Sequence, residues 1–181
     1  LIVLSAEAAN GKDCSLSQLQ PMKGSSERAK LIDDVCKEFA HVILVIRSAN
    51  PMELGFIADY NSIDAVIWVG GGNVSWSALA SVVVGEVNPS GRTVDTWALS
   101  LETEPAYNAS SSSYYANISD LHLLQYSEGI YMGYRYYETR FGNDKAAYEE
   151  NVLYPFGFGL SYTDFTEELI SLTEEDDVLT A

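Results

Sequence analysis

Tyr154-Pro155-Phe156-Gly157-Phe158-Gly159-Leu160-Ser161-Tyr162-Thr163-Asp164-Phe165 is the stretch from which the fold is read. Phe156, Phe158, Leu160 and Tyr162 share one parity, and Gly157, Gly159 and Ser161 take the other. In an extended chain alternate residues face opposite sides. One side is then a row of aromatic and aliphatic groups, expected to be core. The other is nearly bare backbone, where a second segment can approach closely. Such a strand has little to pack on alone, so it is expected to close a larger fold.

The stretch just upstream is also aromatic: Tyr126-Ser127-Glu128-Gly129-Ile130-Tyr131-Met132-Gly133-Tyr134-Arg135-Tyr136-Tyr137-Glu138. The two aromatic stretches are expected to be C-terminal closing strands, with a polar loop between them. Nearer the centre lies Gly85-Glu86-Val87-Asn88-Pro89-Ser90-Gly91-Arg92-Thr93-Val94-Asp95-Thr96-Trp97, which reads as a turn followed by an extended path. These three segments, in this order, resemble the α/β sandwich domain of glycoside hydrolase family 3. That domain characteristically holds a Gly-Glu-Val-Asn-Pro-Ser-Gly-Arg turn and closes with Glu-Gly-Ile-x-x-Gly-Tyr-Arg-Tyr-Tyr and Tyr-Pro-Phe-Gly-x-Gly-Leu-Ser-Tyr-Thr segments. The resemblance runs from about Leu1 to Phe165.

The rest of the chain fits an α/β domain without help from the family. Leu1–Leu4, His41–Ile46 and Ile63–Val69 are apolar runs of strand length. Between the first two, Ser25 or Ser26 can cap a helix, with Glu27 in its first turn and Ala29, Ile32, Val35 and Phe39 at helical spacing. Asn50-Pro51-Met52-Glu53 carries a cap residue, a first-turn Pro and an acid, and predicts a short helix. Gly70-Gly71-Gly72 leads into another helix from about Ser75, with Trp76, Leu79, Ala80 and Val83 on one face. Alternating strands and helices predict a mostly parallel sheet with helices on both faces. The expected organisation is a sandwich domain over 1–165, lacking its true N-terminus, and an acidic linker or tail over 166–181.

Composition narrows the function. The chain has 181 residues, is 47% hydrophobic and carries a formal net charge of -16. Length and apolar content suffice for one domain with a real core. The negative charge argues against nucleic acid, whose phosphates attract Lys and Arg. No run is long and apolar enough to suggest a membrane segment. Two cysteines, Cys14 and Cys36, are no disulfide framework, and Cys36 reads as a buried thiol. With only His41 and His122 a His-based metal site is not expected, and no cofactor is implied. The glycine triplet lacks the third glycine of a dinucleotide fingerprint, since position 75 is Ser, and reads as a tight strand-to-helix turn. Glu128 and Arg135 are expected to form an ion pair or cap. Asn73-Val74-Ser75, Asn108-Ala109-Ser110 and Asn117-Ile118-Ser119 fit the glycosylation triplet.

The resemblance implies a β-glucosidase-like or β-xylosidase-like activity on a β-linked oligosaccharide or glycoside. It implies a partner too: a (β/α)8 barrel, in the same chain or another, that carries an Asp nucleophile. Retaining cleavage needs two carboxyl groups roughly 5–5.5 Å apart. In many members the acid/base Glu sits on the loop after the first strand, in a Ser-Arg-x-x-Gly-Glu-Gly-x-Asp motif. Ungapped, Ser5-Ala6-Glu7-Ala8-Ala9-Asn10-Gly11-Lys12-Asp13 falls on it. Gly11 and Asp13 agree, and Asp13 becomes a candidate substrate-binding residue. Ala6 replaces the Arg, and Asn10 stands where the catalytic Glu is expected. An amide can hydrogen-bond a glycosidic oxygen but cannot deliver a proton to it. Three readings stand side by side. The domain is degenerate and non-catalytic, a sugar-binding or structural module; or Glu7 is a substitute acid; or the barrel supplies its own.

Overall fold

A computed structural model of the chain describes residues 1–6, 14–23, 26–72, 75–105, 107, 117–118, 121–122, 128–175 and 178–180. Strands β1 (Ile2–Ala6), β2 (Val42–Ser48) and β3 (Ile63–Trp68) form a parallel sheet in the order β1-β2-β3. Ile2 pairs with Leu44, Ala6 with Ser48 and Ile46 with Trp68. All three apolar runs therefore become strands. Ile2, Leu4, Leu44, Ile46, Val66 and Trp68 belong to one core cluster with Ile32, Met52, Leu54 and Trp97.

Helix α1 (Leu16–Leu19) and helix α2 (Glu27–Glu38) connect β1 to β2. The Ser26 hydroxyl accepts from the Ala29 amide at 3.1 Å, and Glu27 faces the positive end of the α2 dipole. Ile32 of α2 is fully buried against the sheet, with Val35 and Cys36 packed beside it. Cys14 and Cys36 are both free thiols, only half-buried, at the margin of this core. Full burial of Cys36 is thus corrected: it sits on the flank of α2.

The helix expected at Asn50-Pro51-Met52-Glu53 does not form. Those residues run irregularly, and a 3-10 turn begins later, at Gly55–Asp59. Tertiary bonds override the local pattern. Met52 and Leu54 enter the core, and the Glu53 carboxylate accepts from the Leu101 amide at 2.9 Å and from the Gln20 amide group at 2.7 Å. Helix α3 (Trp76–Val83) follows the glycine triplet and is capped by Ser75, whose hydroxyl accepts from the Ala78 amide at 3.3 Å. Of its expected apolar face only Leu79 is buried, while Trp76 and Val83 stand exposed.

The aromatic half differs most from the sequence reading. Strand β4 (Trp97–Ala98) is followed by a hairpin of β5 (Asn117–Ile118) and β6 (Leu121–His122). Tyr134–Phe141, expected among closing strands, is helix α4, and the expected polar loop contains helix α5 (Lys145–Asn151). The Asp144 carboxylate caps α5 by accepting from the Ala147 amide at 3.1 Å. Strand β7 (Val152–Tyr154) pairs antiparallel with β4, and Tyr137 of α4 packs on Ala98 and Val152. The acidic end carries two short strands, β8 (Thr173–Glu175) and β9 (Val178–Thr180), paired with each other.

The segment 156–162 is not a strand and its aromatic row is not core. Phe156, Leu160 and Tyr162 are 49%, 78% and 83% exposed. Gly157 takes φ +79°, so the chain turns there and the alternation of an extended strand is lost. Only Phe158 is partly covered, stacked on Tyr154 with ring centroids 4.9 Å apart. The bare-backbone side behaves as expected, because another segment does come close. The Gly157 amide donates to the Thr93 carbonyl at 2.8 Å, and the Thr93 hydroxyl donates to the Pro155 carbonyl at 2.7 Å. The Arg92 guanidinium donates to the Gly159 carbonyl. Asn88 Oδ1 accepts from the Ser161 hydroxyl and from the Tyr162 amide, each at 3.0 Å. The two glycine-containing motifs are thus the two halves of one clasp.

Candidate functional site

Ligands of open parallel sheets bind off the carboxyl ends of the strands. Here Ala6, Ser48 and Trp68 end β1, β2 and β3 along one edge. Residues 7–13 follow β1 in the sequence. Glu7, Asn10 and Asp13, the three residues singled out in the sequence, lie in it and fall outside the described residues.

The neighbouring loops are held tightly. Trp68 Nε1 donates to the Ser48 carbonyl at 2.7 Å, and the Asn50 amide donates to the Ser48 hydroxyl at 3.1 Å. Gly71 passes directly over Ala49: a Cβ at position 71 would stand 2.7 Å from the Ala49 Cβ and 3.0 Å from its amide nitrogen. Gly70 and Gly72 take φ +72° and +81°. The triplet is needed for a turn and a close backbone crossing, which accounts for it without a phosphate.

Beyond the β2 loop lies an acidic cleft of about 180 Å3. Pro51, Asp95, Glu104, Glu128 and Tyr137 are among the residues lining it. Glu128 was expected in an ion pair or cap with Arg135. It lines the cleft instead, while the Arg135 guanidinium lies 5.9 Å from the Tyr134 ring centre. Burial, then the nearby Asp95 and Glu53, push the Glu104 carboxyl up to about 7. Burial also raises Asp95, against the Thr96 amide that donates to it at 2.9 Å. The Tyr137 phenol is raised as well, first by burial and then by Glu104, Tyr136 and Asp95. Sequence reasoning missed Asp95 and Glu104. The thin signal was an acid set directly before the Thr96-Trp97 pair, both of which are buried.

Residues 2–134 match the Glycosyl hydrolase family 3 C-terminal domain. The chain belongs to glycosyl hydrolase family 3. The family 3 domain is 34% identical over 148 residues to the Thermostable beta-glucosidase B of Acetivibrio thermocellus, which covers 81% of this chain and 17% of that protein. It is 35% identical over 140 residues to Beta-glucosidase A of Butyrivibrio fibrisolvens, covering 77% and 15%. Among solved structures, it superposes on a glycoside hydrolase family 3 beta-glucosidase from Neurospora crassa with TM-score 0.69 at 29% identity, covering 96% of this chain and 20% of that one. A beta-glucosidase from Paenibacillus barengoltzii gives TM-score 0.66 at 32% identity, covering 83% and 15%. The chain thus spans a fifth or less of the length of these relatives. Among the described residues of the family 3 domain, no cluster of His, Cys, Asp and Glu is placed to hold a metal ion, and no helix is long and apolar enough to cross a membrane.

Proposed function

We propose that this chain is the C-terminal α/β domain of a β-glycosidase and contributes one wall of an active site completed by a (β/α)8 barrel. The observation that carries the reading is the family match over residues 2–134, joined to relatives named as beta-glucosidases. In this reading the domain extends over 1–165 and 166–181 leads away from it. The substrate is a β-linked oligosaccharide or glycoside, and the barrel provides the nucleophilic carboxylate. The segment 7–13, next in sequence after Ala6 at the carboxyl end of β1, is assigned by its likeness to the family's acid/base loop to the wall that faces the barrel. Asp13 orients the sugar, and Glu7 is the carboxylate of that segment available for proton transfer to the departing oxygen.

A second reading is favoured by Asn10. With an amide at the acid/base position, the domain is a non-catalytic module that binds sugar or supports its neighbour. General acid catalysis is worth about 10²–10⁴-fold, so the two readings separate kinetically.

The deciding experiment compares the intact protein with its Glu7→Gln and Asn10→Glu variants, on glycosides with poor and with activated leaving groups. Poor leaving groups need the proton most. If the chain takes part in catalysis through Glu7, Glu7→Gln abolishes turnover of poor leaving groups and spares activated ones. If the domain is degenerate, Glu7→Gln changes nothing and Asn10→Glu raises turnover of poor leaving groups. An intact protein without turnover on either substrate, and with Asn10→Glu equally silent, overturns the glycosidase reading. The isolated chain, lacking the nucleophile, is expected to be silent on aryl β-glucoside and β-xyloside. Turnover that follows its own chromatographic peak would sink the requirement for a barrel.

A further inference from the structure

The acidic cleft has a composition that the glycosidase reading does not use. Among the described residues its lining includes three carboxylates, Asp95, Glu104 and Glu128, and no Lys, Arg or His. Two further side chains on its wall, Thr96 and Tyr137, are each only 2% exposed. Their hydroxyl oxygens are buried and have no hydrogen-bond partner among the described residues. Buried hydroxyls are normally satisfied, and leaving one unpaired is costly. The side of the cleft next to Asp95 is kept open by Gly133. A Cβ there would stand 3.3 Å from the Asp95 carboxylate oxygen, and the backbone takes φ +55°.

We propose that this cleft binds a small organic cation bearing a guanidinium or alkylammonium group. It offers the negative charge of three carboxylates, and its wall also carries the hydroxyl-bearing side chains Thr96, Tyr131 and Tyr137. A neutral ligand would leave the carboxylates uncompensated in a partly buried place. A metal ion needs its donors gathered around one point, and no such cluster exists among the described residues. A guanidinium instead spreads five N–H donors over a plane, and so reaches carboxylates and hydroxyls that are set apart. The raised Glu104 carboxyl agrees with a site lacking its counter-charge. None of the lining residues lies in the 7–13 segment, so the inference stands or falls separately from the glycosidase reading.

Agmatine is the probe, titrated into the intact protein by calorimetry at pH 8, where Glu104 is ionised. The references are potassium chloride at matched ionic strength and N-propylurea, whose neutral urea head has the planar shape of a guanidinium. The expected result is saturable binding of agmatine alone, weakened about tenfold in Glu104→Gln and in Glu128→Gln. Tyr137→Phe, which removes only the unpaired hydroxyl, is expected to weaken it by a smaller factor. Near-ultraviolet circular dichroism establishes that each variant is folded, and Glu128→Gln carries the test if Glu104→Gln is not. Three results overturn the proposal: no saturation with agmatine, equal binding of N-propylurea, or parental affinity in the folded carboxamide variants. A cleft already filled by a basic side chain of the same protein gives the first of these.

Discussion

Thr93 and Phe158 hold each other twice: the Thr93 amide donates to the Phe158 carbonyl at 2.7 Å, and the Phe158 amide donates to the Thr93 hydroxyl at 2.9 Å. The same hydroxyl donates onward to the Pro155 carbonyl. Thr93→Val keeps the shape and removes both side-chain bonds. It is expected to lower stability by about 1–3 kcal/mol in urea unfolding, since it removes two hydrogen bonds worth about 0.5–1.5 kcal/mol each, while the Phe158 amide and the Pro155 carbonyl keep their bond to each other at 3.1 Å. A change within about 0.5 kcal/mol, the ordinary range for surface substitutions, would mean that the clasp does not hold the chain closed.

Two glycines of the clasp are expected to differ in cost. An added Cβ at Gly157 meets nothing within 4 Å, so Gly157→Ala pays only for its left-handed backbone, about 1–2 kcal/mol. At Gly159 the Cβ would run into the Gly91 carbonyl oxygen and stand 2.9 Å from Arg92 Cδ. Gly159→Ala must therefore part the two segments, and it is expected to be the more destabilising. Thermal melts in the reverse order would refute this account of the close approach.

The exposure pattern of the closing segment sets a third expectation. Leu160→Ser and Tyr162→Ser should each shift the unfolding free energy of this chain by less than about 0.5 kcal/mol. Phe158→Ala, which loses the stack on Tyr154, should cost about 2 kcal/mol, less than the truncation of a fully buried ring. If Leu160→Ser proves as damaging as Phe158→Ala, the row is buried after all.

The cleft makes stability depend on pH in a definite direction. Glu104 is raised from its ordinary 4.5 to about 7, so between those values the folded chain holds a proton that the unfolded chain releases. Its contribution is complete below pH 4.5 and is lost as the pH rises through about 7. Asp95, raised by burial, acts in the same sense, with Glu53 and Glu128 as the other carboxylates nearby. The melting temperature should fall between pH 5 and 8, and Glu104→Gln should flatten the slope. A melting temperature that rises across that interval in the parent would contradict the assignment. Glu102 works oppositely and in another window. The Lys23 ammonium that donates to it at 2.9 Å lowers its pKa, so that contribution fades only as the pH drops below 4.5.

The central sheet was legible because burial writes itself into composition. Val42–Ile46 of β2 is covered on both faces and reads as a continuous apolar run, and Ser26 with Glu27 marks the start of α2 by a local capping rule. The closing segment misled because a turn at Gly157 and a strand share the same alternating sequence. Helix α4 was hidden by its aromatic content, since Tyr and Phe are mediocre helix formers and their place is set by packing on Ala98 and Val152. At Glu53 a capping pattern lost to tertiary bonds with Gln20 and Leu101. The cleft was not legible at all. Asp95, Glu104 and Glu128 come from separate stretches and acquire meaning only once folding brings them together. Asn10 was legible solely as a departure from a family motif.

The crossing of Gly71 over Ala49 reaches further than the turn it permits. Two loops that line the sheet edge are separated there by the thickness of one methyl group. Position 49 and position 71 therefore act as a single gauge: a larger side chain at either one lifts the β3 loop off the β2 loop. Lengthening a loop elsewhere along this rim leaves the gauge untouched, whereas one added carbon at position 71 resets it. The contour that this edge presents to whatever docks against it is thus governed by the smallest side chains in the domain.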